Sequence, residues 1–378
     1  METKVQVTIP KNALPEKIKL NPFFRIKLDE YSLKNNSLKV EIPLESKEII
    51  IHSLEFLKLI NKVKDSIDSN VLIDYLTNEF GIGQDVANNL ITKYLEFKVF
   101  VPSNYELVNK KSIQHWVNRG WLEALYLHLK SRNLKFSDDS ADDLKEYFNS
   151  KFTKKMKHKK LPNIYENKNF AISFKLPKPT MLPSDKSLEE ILLYRKSNQP
   201  YTKNTFNIEE LSNILYYSSI ETTKLRDKVK REIETNPSVI LNSSFSALEL
   251  YFFAFDIKGL ENGLYYYNVE DHKISLVKEG NFREQVAKMC IGQKKAGNSK
   301  VTFVISALWE KYMFRYSHPR AYRNLLVNVS ELAQKILVLS STYEKRTFIT
   351  PAFNDELADE LLGFNGFKEA PLYVIAAG

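Results

Sequence analysis

Alternating apolar and polar residues predict strands near the start of the chain. Residues 5–9 read Val-Gln-Val-Thr-Ile, and residues 38–42 read Leu-Lys-Val-Glu-Ile. Because the side chains of a strand point alternately to its two faces, a period of two indicates a strand with one buried face. The first fifty residues are therefore expected to be rich in strands.

Residues 53–101 predict three helices followed by a short strand. Ser53, and then Asp68 or Ser69, precede the first two apolar runs, where a polar side chain caps a helix. Glycines 81 and 83 separate the second helix from a third at 86–97. The apolar residues of that third helix repeat at helical spacing: Val86, Leu90, Ile91, Tyr94 and Leu95. Residues 97–101 alternate like a wing, so the order predicts a winged-helix domain.

The third helix of this domain is poorly suited to DNA. It carries Lys93 and no arginine, whereas helices that read the major groove carry several cations. We therefore expect no nucleic-acid partner, and a purely structural role for the domain stays open.

Residues 115–129 predict a helix with an aromatic face. The residues that share this face are Trp116, Trp121, Leu122, Leu125 and Leu129. Aromatic residues at helical spacing usually belong to a core. His115 and His128 lack the i, i+4 spacing of a metal pair, so no metal site is expected.

The stretch 134–185 predicts a connecting region. Aspartates lie between 138 and 143, a lysine-rich run covers 151–160, and prolines stand at 177, 179 and 183. A helix is expected only around residues 141–152. The lysine run is interpreted either as a solvated linker or as a binding patch for an acidic partner, such as an acidic peptide.

From Ser187 onward, helices and strands alternate. Ser187 with Glu189 and Glu190 predicts a capped helix start. Further helices are expected at 208–216 and 322–341. Residues 248–255 are interpreted as the end of a helix that becomes a buried strand, and the other expected strands are 263–267, 273–277, 301–306 and 372–376. This order predicts the α+β class, with helices on both faces of a mixed sheet.

Composition limits the remaining options. A chain of 378 residues accommodates two domains. No apolar run approaches the ~18 residues of a membrane helix, and the start has no apolar signal region. The single Cys290 permits no intrachain disulfide, so a cytoplasmic protein without membrane insertion is expected. The net charge of +9 is spread along the chain, which does not require a nucleic-acid partner.

Three segments carry a resemblance to a known family: residues 192–197 (Leu-Leu-Tyr-Arg-Lys-Ser), 262–267 (Asn-Gly-Leu-Tyr-Tyr-Tyr) and 371–378 (Pro-Leu-Tyr-Val-Ile-Ala-Ala-Gly). Together they resemble the SagB-type dehydrogenases, a peptide-modifying branch of the nitroreductase superfamily. The resemblance covers roughly the last half of the chain. By analogy with peptide-modifying enzymes, the strand-rich, winged-helix-like domain at 1–133 is expected to bind a leader peptide by strand addition. The resemblance further implies a linker at 134–185 and a nitroreductase-like, three-layer, mixed-sheet FMN domain at 186–378.

The resemblance also implies flavin contacts at the start of that domain. In the family an Arg-Arg-Ser-x-Arg motif contacts FMN; here residues 195–199 supply Arg195, Lys196, Ser197 and Gln199. Two cations and a hydroxyl group suit a phosphate. A second motif falls at 241–251. There Glu249 and Tyr251 match the family pattern, and Asn242, Ser243 and Ser244 are expected to hydrogen-bond the isoalloxazine edge.

A third motif is expected to hold the chemistry. Residues 315–323 are similar to the family's Lys-Tyr-Gly-x-Arg-Gly-Tyr-Arg signature, with Tyr316, Arg320 and Arg323 among the matches. Arg315 replaces the lysine that azoline-oxidising members pair with tyrosine for proton abstraction. A guanidinium group is a poor base. We therefore assign Arg315 and Tyr316 to catalysis and Arg320 and Arg323 to the substrate. Further along, Gln334 matches a family position near the flavin.

These features favour an FMN enzyme that reduces dehydroalanine or dehydrobutyrine to D-amino acids in a lanthipeptide. Azoline oxidation to thiazoles or oxazoles, and a peptide-binding module that has lost its flavin, stay open. The resemblance implies a precursor peptide with leader and core, a homodimer, and other peptide-modifying enzymes as partners. NADPH is the expected electron donor if the protein is a reductase. It would bind transiently, because the chain has no glycine-rich dinucleotide motif.

Overall fold

The computed structural model describes residues 14–107, 109–132, 143–166, 168–183, 185–197, 199–241 and 246–378. The chain forms two compact units, Met1–Lys135 and Phe136–Gly378. The strand predicted at 5–9 lies outside the described residues, as do the flavin candidates Asn242, Ser243 and Ser244.

The first unit contains two small antiparallel sheets and six helices in its described part. One sheet has the order β5-β1-β6 and the other β2-β3-β4. The strands are β1 (Lys17–Leu20), β2 (Arg25–Lys27), β3 (Leu38–Ile42), β4 (Lys47–Ile51), β5 (Ile67–Asp68) and β6 (Phe100–Pro102). The helices are α1 (Glu30–Lys34), α2 (Phe56–Val63), α3 (Ser69–Phe80), α4 (Gln84–Glu96), α5 (Lys110–Asn118) and α6 (Leu122–Arg132).

Local signals set the ends of the helices in this unit. The carboxylate of Asp68 caps α3 by accepting from Asn70 N, and Gly81 ends α3 in the left-handed region at φ 63°. Both were expected from the sequence. Helix α4 buries Ile91 and Leu95, while Val86, expected in the same stripe, is 56% exposed.

The single helix predicted over 115–129 is wrong. The chain forms α5 and α6, separated at Gly120, which has φ 73°. A positive φ cannot continue a right-handed helix, and glycine adopts it without a steric penalty. Trp116 and Trp121 still meet edge to face at 5.9 Å, but across the turn rather than along one helix.

The second unit is a seven-stranded sheet covered by helices. The sheet order is β12-β13-β11-β8-β9-β10-β7. The strands are β7 (Ile172–Lys175), β8 (Leu248–Ala254), β9 (Gly263–Asn268), β10 (Lys273–Glu279), β11 (Val301–Leu308), β12 (Thr347–Thr350) and β13 (Glu369–Ala377). The helices are α7 (Leu144–His158), α8 (Leu188–Tyr194), α9 (Ile208–Glu232), α10 (Arg283–Met289), α11 (Lys294–Gly297), α12 (Trp309–Arg315), α13 (Arg320–Thr342) and α14 (Asp355–Leu362).

Both faces of this sheet are buried, as β8 shows. Leu250 and Phe252 belong to the cluster that contains α9 and α13 residues. Tyr251 and Phe253 belong to the opposite cluster, with α10 and α14. Helices on both faces confirm the α+β class. All of β8 is strand, so the expected helical start at Leu248 is wrong; burial on both faces removes the alternation that would have identified it.

The expectation of a mixed sheet is also wrong. Every pairing between the seven strands is antiparallel. Within the described residues of this unit, parallel contacts occur as isolated bridges, between Ser197 and Thr347 and between Asn207 and Lys258. Short connections link β8 to β9 and β9 to β10, and such connections produce antiparallel pairs.

The stretch 143–185 is built into the second unit. Helix α7 buries Phe152 against Phe314, Val229 and Ile240. Strand β7 pairs with β10 at the sheet edge. The lysine run therefore lies mainly on a packed helix, and its interpretation as a solvated linker is wrong. Within the described part of the chain, no helix is long and apolar enough to cross a membrane.

Candidate functional site

The first flavin motif lies beside the C-terminal end of α13. The hydroxyl of Tyr194 donates to Glu344 O at 2.7 Å, and Arg346 Nη1 donates to Tyr194 O at 2.8 Å. Ser197 forms a bridge with Thr347. The guanidinium of Arg346 lies 3.8 Å from the Tyr194 ring centroid. Arg195 is half-buried, and Lys196, Ser197 and Gln199 are exposed. Cations and a hydroxyl at one accessible position fit a phosphate group.

The third motif lies at the N-terminal end of α13. Arg315 is the last residue of α12 and Tyr316 follows it as the C-cap. Arg315 Nη2 donates to Leu241 O, and its guanidinium carbon lies 4.6 Å from the Tyr316 ring centroid. Burial lowers the pKa of Arg315 from its ordinary value. Leu241 directly precedes residues 242–245, so the second flavin motif begins next to Arg315.

Arg315 is a half-buried cation that lacks an acidic partner among the described residues. No carboxylate of the described chain lies within ion-pair distance of it, and its buried Nε has no hydrogen-bond partner there. A buried donor without an acceptor is costly. An acceptor oxygen from a bound molecule, such as a flavin or substrate carbonyl, would satisfy this atom.

The two ends of α13 are far apart within one chain. Helix α13 has 23 residues, which corresponds to ~34 Å along its axis. The sheet gives a second measure. Thr347 lies next to Ser197 and pairs with Ala377, and Ala377 pairs with Val301 at the start of β11. Helix α12 begins after Leu308, which is at the other end of β11. Eight strand residues span ~24 Å. This separation is longer than an extended FMN molecule.

An open cleft of about 770 Å³ lies against Tyr316. Its aromatic walls are Trp309, Tyr312, Tyr316, Tyr322 and Phe367. Trp309 and Tyr322 stack at 6.2 Å, and Tyr312 and Tyr316 lie 5.2 Å apart. We call this the aromatic cleft. Its size and its apolar walls suit a flat ring or an apolar side chain.

Two polar residues of the aromatic cleft were not expected from the sequence. His318 lies 5.6 Å from Tyr316, ring to ring, and its buried Nδ1 has no partner among the described residues. Burial, then Arg320 and Lys151, lower the pKa of His318, so the imidazole is neutral at pH 7. The Tyr312 hydroxyl donates to Asn328 Oδ1 at 3.0 Å, and burial raises the pKa of Tyr312 to about 12. His318 lies within the third motif at a position that does not match the family signature, and Tyr312 precedes that motif.

Glu249 and Tyr251 have a structural role, because both are bonded to other side chains of the second unit. Glu249 Oε1 accepts from Arg226 at 3.0 Å and from Lys311 at 3.2 Å, and Oε2 accepts from Tyr266 at 2.8 Å. Tyr251 accepts from Lys168. Burial alone raises the pKa of Glu249, and the cations reverse this, leaving the pKa at about 2. Sequence reasoning missed Lys311, because a lysine on a short helix gives no signal of burial.

The remaining predicted residues are spread along α13. Arg320 begins the helix half-buried, close enough to His318 to lower its pKa. Arg323 and Gln334 are exposed. Gln334 is fourteen residues beyond Arg320, which corresponds to ~21 Å along the helix. The structure therefore brings Arg315, Tyr316 and Arg320 together and leaves Gln334 apart. Arg315 also lies five residues before Arg320, whereas the lysine of the signature lies four before the arginine.

Comparison with known proteins places the chain in a family. The trifolitoxin operon protein TfxC of Rhizobium leguminosarum bv. trifolii is 32% identical over 310 residues, covering 79% of this chain and 83% of TfxC. The chain belongs to the TfxC family. No model of a known protein family matches the sequence.

A second relative has a nitroreductase name. Protein MJ1384 of Methanocaldococcus jannaschii, described as a nitroreductase, is 26% identical over 191 residues, covering 50% of this chain and 90% of the relative. The expectation that this TfxC-family member is a flavin oxidoreductase is thereby confirmed.

Among solved structures, a nitroreductase-type protein of Anabaena variabilis has a TM-score of 0.46 at 20% identity. The match covers 65% of this chain and 49% of that chain, so the chain spans about half the length of that solved structure.

Proposed function

We propose that this TfxC-family protein uses FMN to reduce dehydroalanine or dehydrobutyrine residues of a ribosomally made peptide to D-amino acids, as in lanthipeptide synthesis. The carrying observation is Arg315, a half-buried cation beside Tyr316 whose buried Nε has no hydrogen-bond partner among the described residues. Reduction develops negative charge on the carbonyl oxygen next to the reacting carbon, and a fixed cation stabilises that charge. Kinship with a toxin operon protein and the SagB-type resemblance support a peptide substrate.

Arg315, which lies behind Tyr316 outside the aromatic cleft, and Tyr316, which lines it, divide the work of this reaction. When bound, reduced FMN would supply the hydride that Cβ of the dehydroamino acid receives. Arg315 holds the neighbouring carbonyl oxygen, and the Tyr316 hydroxyl donates a proton to Cα. The aromatic walls offer an apolar surface for the reacting residue. NADPH would be the transient electron donor.

His318 supports azoline oxidation as a second candidate. This direction requires a base to remove the Cα proton while hydride moves to FMN. A neutral imidazole with an unpartnered Nδ1 lines the aromatic cleft next to Tyr316. Since Arg315 is a poor base, His318 would take the role that lysine has in the azoline-oxidising members.

A dimer would complete the proposed flavin site. The phosphate motif and the Arg315–Tyr316 end are too far apart in one chain to touch the same FMN. In a two-fold dimer, the phosphate motif of each chain would lie beside the Arg315–Tyr316 end of the partner chain. Both helices concerned carry exposed apolar side chains, namely Leu188 and Leu193 on α8 and Val327 on α13, exposed by 65%, 66% and 65%. Such side chains favour an interface.

The first unit is proposed to hold the leader peptide. Its elements follow the order α2, β5, α3, α4, β6, and this order supports the proposal of a winged-helix domain. Strand β4 is an edge strand with a β-branched sequence, and Ile50 is 62% exposed. An exposed edge of this kind accepts an added strand. Other peptide-modifying enzymes would then act on the same bound precursor.

The direction of the reaction is tested by anaerobic spectroscopy of the purified protein. We expect a flavin band that NADPH bleaches, and a dehydrated peptide that then restores the band and gains two hydrogens by mass. Arg315→Gln should lower turnover about 100-fold without loss of flavin, because it removes one stabiliser of the developing charge. The exposed Arg231→Gln serves as the control.

Two other results would redirect the proposal. Flavin that ignores NADPH but is reduced by an azoline peptide, with the reaction lost in His318→Asn, establishes azoline oxidation. A protein that stays colourless after FMN is added is not an enzyme of either kind and leaves the peptide-binding module.

A further inference from the structure

We propose that the aromatic cleft and the lysines of α7 together bind an acidic segment of the peptide substrate, in which an apolar residue is flanked by Asp or Glu. This inference rests on the proposed function, because it specifies which peptide the enzyme accepts.

Helix α7 is fixed against the catalytic end of α12. Phe152, 2% exposed, packs with Phe148 and Met156 against Phe314. Lys155 donates to Phe314 O and lies 4.7 Å from the Phe314 ring centroid. Since Phe314 directly precedes Arg315, the position of the α7 lysines is fixed relative to the catalytic residues.

Three lysines form a row that reaches the aromatic cleft. Lys151 and Lys155 are spaced by four residues and lie on one side of α7. Lys159 follows the last residue of α7 as its C-cap. Burial first, and then Lys159 and Lys151, lower the pKa of Lys155, which shows that the three charges are close together. Lys159 lines the cleft, and Lys151 is near enough to His318 to lower its pKa. We call these three residues the lysine row.

The lysine row has no carboxylate to balance it. In the described part of the chain, none of its members lies within ion-pair distance of Asp or Glu, and no acidic residue lines the cleft. Neighbouring unpaired cations repel each other, and an anion placed between them relieves the repulsion. Glu166 and Glu310 lie in an adjoining cavity, where Glu166 is paired with Lys311 at 3.1 Å.

The aromatic cleft beside the lysine row is suited to binding an apolar group. Phe367 is 91% exposed, Met313 60% and Tyr322 45%. Large apolar side chains clustered at one exposed position mark a binding surface. A peptide with one apolar side chain in the cleft and carboxylates on the lysine row satisfies both features. A single-stranded nucleic acid would also match the charge and would stack its bases on the aromatic walls. The peptide is favoured because the proposed substrate is a peptide, and the test separates the two.

The test is binding of an unreactive peptide to the full-length, FMN-loaded protein, measured by fluorescence anisotropy. The probe contains one phenylalanine flanked by glutamates, and its matched analogue replaces each glutamate by glutamine. We expect the glutamate probe to bind about tenfold tighter at low salt, with the advantage falling as salt rises.

The variants compare equal charge losses on the same helix. Lys151→Gln with Lys159→Gln should remove most of the advantage of the glutamate probe, whereas the exposed pair Lys154→Gln with Lys157→Gln should change it less than about twofold. Phe367→Ser should weaken both probes alike, since it removes the apolar contact.

Equal binding of the two probes, or equal weakening by both lysine pairs, would overturn the proposal. A single-stranded oligonucleotide that binds more tightly than the peptide would assign the row to nucleic acid. Loss of bound flavin in the Lys151/Lys159 variant would show that the lysine row binds the FMN phosphate instead. Because the probe does not react, peptide binding without redox activity would refute the proposed reaction and leave this site in place.

Discussion

Glu249 links four elements of the second unit. It receives bonds from Arg226 on α9, Tyr266 on β9 and Lys311 on α12, and it belongs to β8. Lys311 also pairs with Glu166. A buried carboxylate is tolerated because these partners satisfy it, and removing one partner leaves uncompensated charge in the core.

Replacing Glu249 by glutamine should destabilise the protein strongly. The change leaves Arg226 and Lys311 without their shared anion, so the free energy of unfolding should fall by about 3–5 kcal/mol. Chemical denaturation followed by circular dichroism measures this. Glu344→Gln is the control, because Glu344 is half-exposed in its pair with Lys186 and its loss should cost under about 1 kcal/mol.

The same comparison has a pH signature. The pKa of Glu249 is about 2 in the folded protein and is ordinarily 4.5. The contribution of Glu249 to the free energy of unfolding is therefore complete above about pH 4.5 and is lost as the pH falls toward 2. The difference in the free energy of unfolding between the parent protein and Glu249→Gln should decrease over that pH range. A difference that stays constant would show that Glu249 is not charged in the fold.

At the scale of elements, α7 and the segment after it complete the second unit. Phe152 fills the cluster around Phe314, and β7 extends the sheet by one strand. Lys168 pairs with the buried Glu369, whose other oxygen accepts from Ser306 at 2.6 Å. Without this segment, Lys311 keeps only Glu249 and Glu369 loses its cation.

A fragment of residues 186–378 should therefore fail to fold, although the sequence motifs place the flavin domain there. It lacks a buried aromatic side chain and two ion-pair partners, each worth a few kcal/mol. A fragment of residues 136–378 should show a cooperative thermal transition by circular dichroism. Equal melting temperatures for the two fragments would contradict this role of α7 and β7.

At the scale of the whole molecule, the proposed flavin site requires two chains. Arg195→Gln damages the phosphate end, and Arg315→Gln damages the catalytic end. Each variant alone should have little activity. Co-expressed, they should recover about a quarter of the parental activity, because half of the random dimers are mixed and each mixed dimer keeps one intact site.

The mixing experiment also tests the alternative. If each site lay within one chain, mixing would give only the average of the two weak homodimers. Co-expression of Arg315→Gln with Arg320→Gln, both at the same end of α13, is the matched control and should give no recovery. Recovery in this control would show that these two residues serve different sites.

The sequence by itself determined the local structure of this protein. The capping box at Ser187, the Asp68 cap and the hairpin of β9 and β10 each depend on residues a few positions apart. Helix and strand periods are readable at that range, which is why most elements and the α+β class were predicted. The residues 195–197 and 315–316 were identified by motif for the same reason.

Tertiary structure decided which of these elements meet. β8 lost its alternation because both faces are buried, and the lysine run became part of a packed helix through Phe152. Burial of Lys311, the unpartnered His318 and the distance between the two flavin motifs all depend on contacts between residues far apart in the chain. Such contacts are selected by the packing of whole elements, and no local pattern of residues records them.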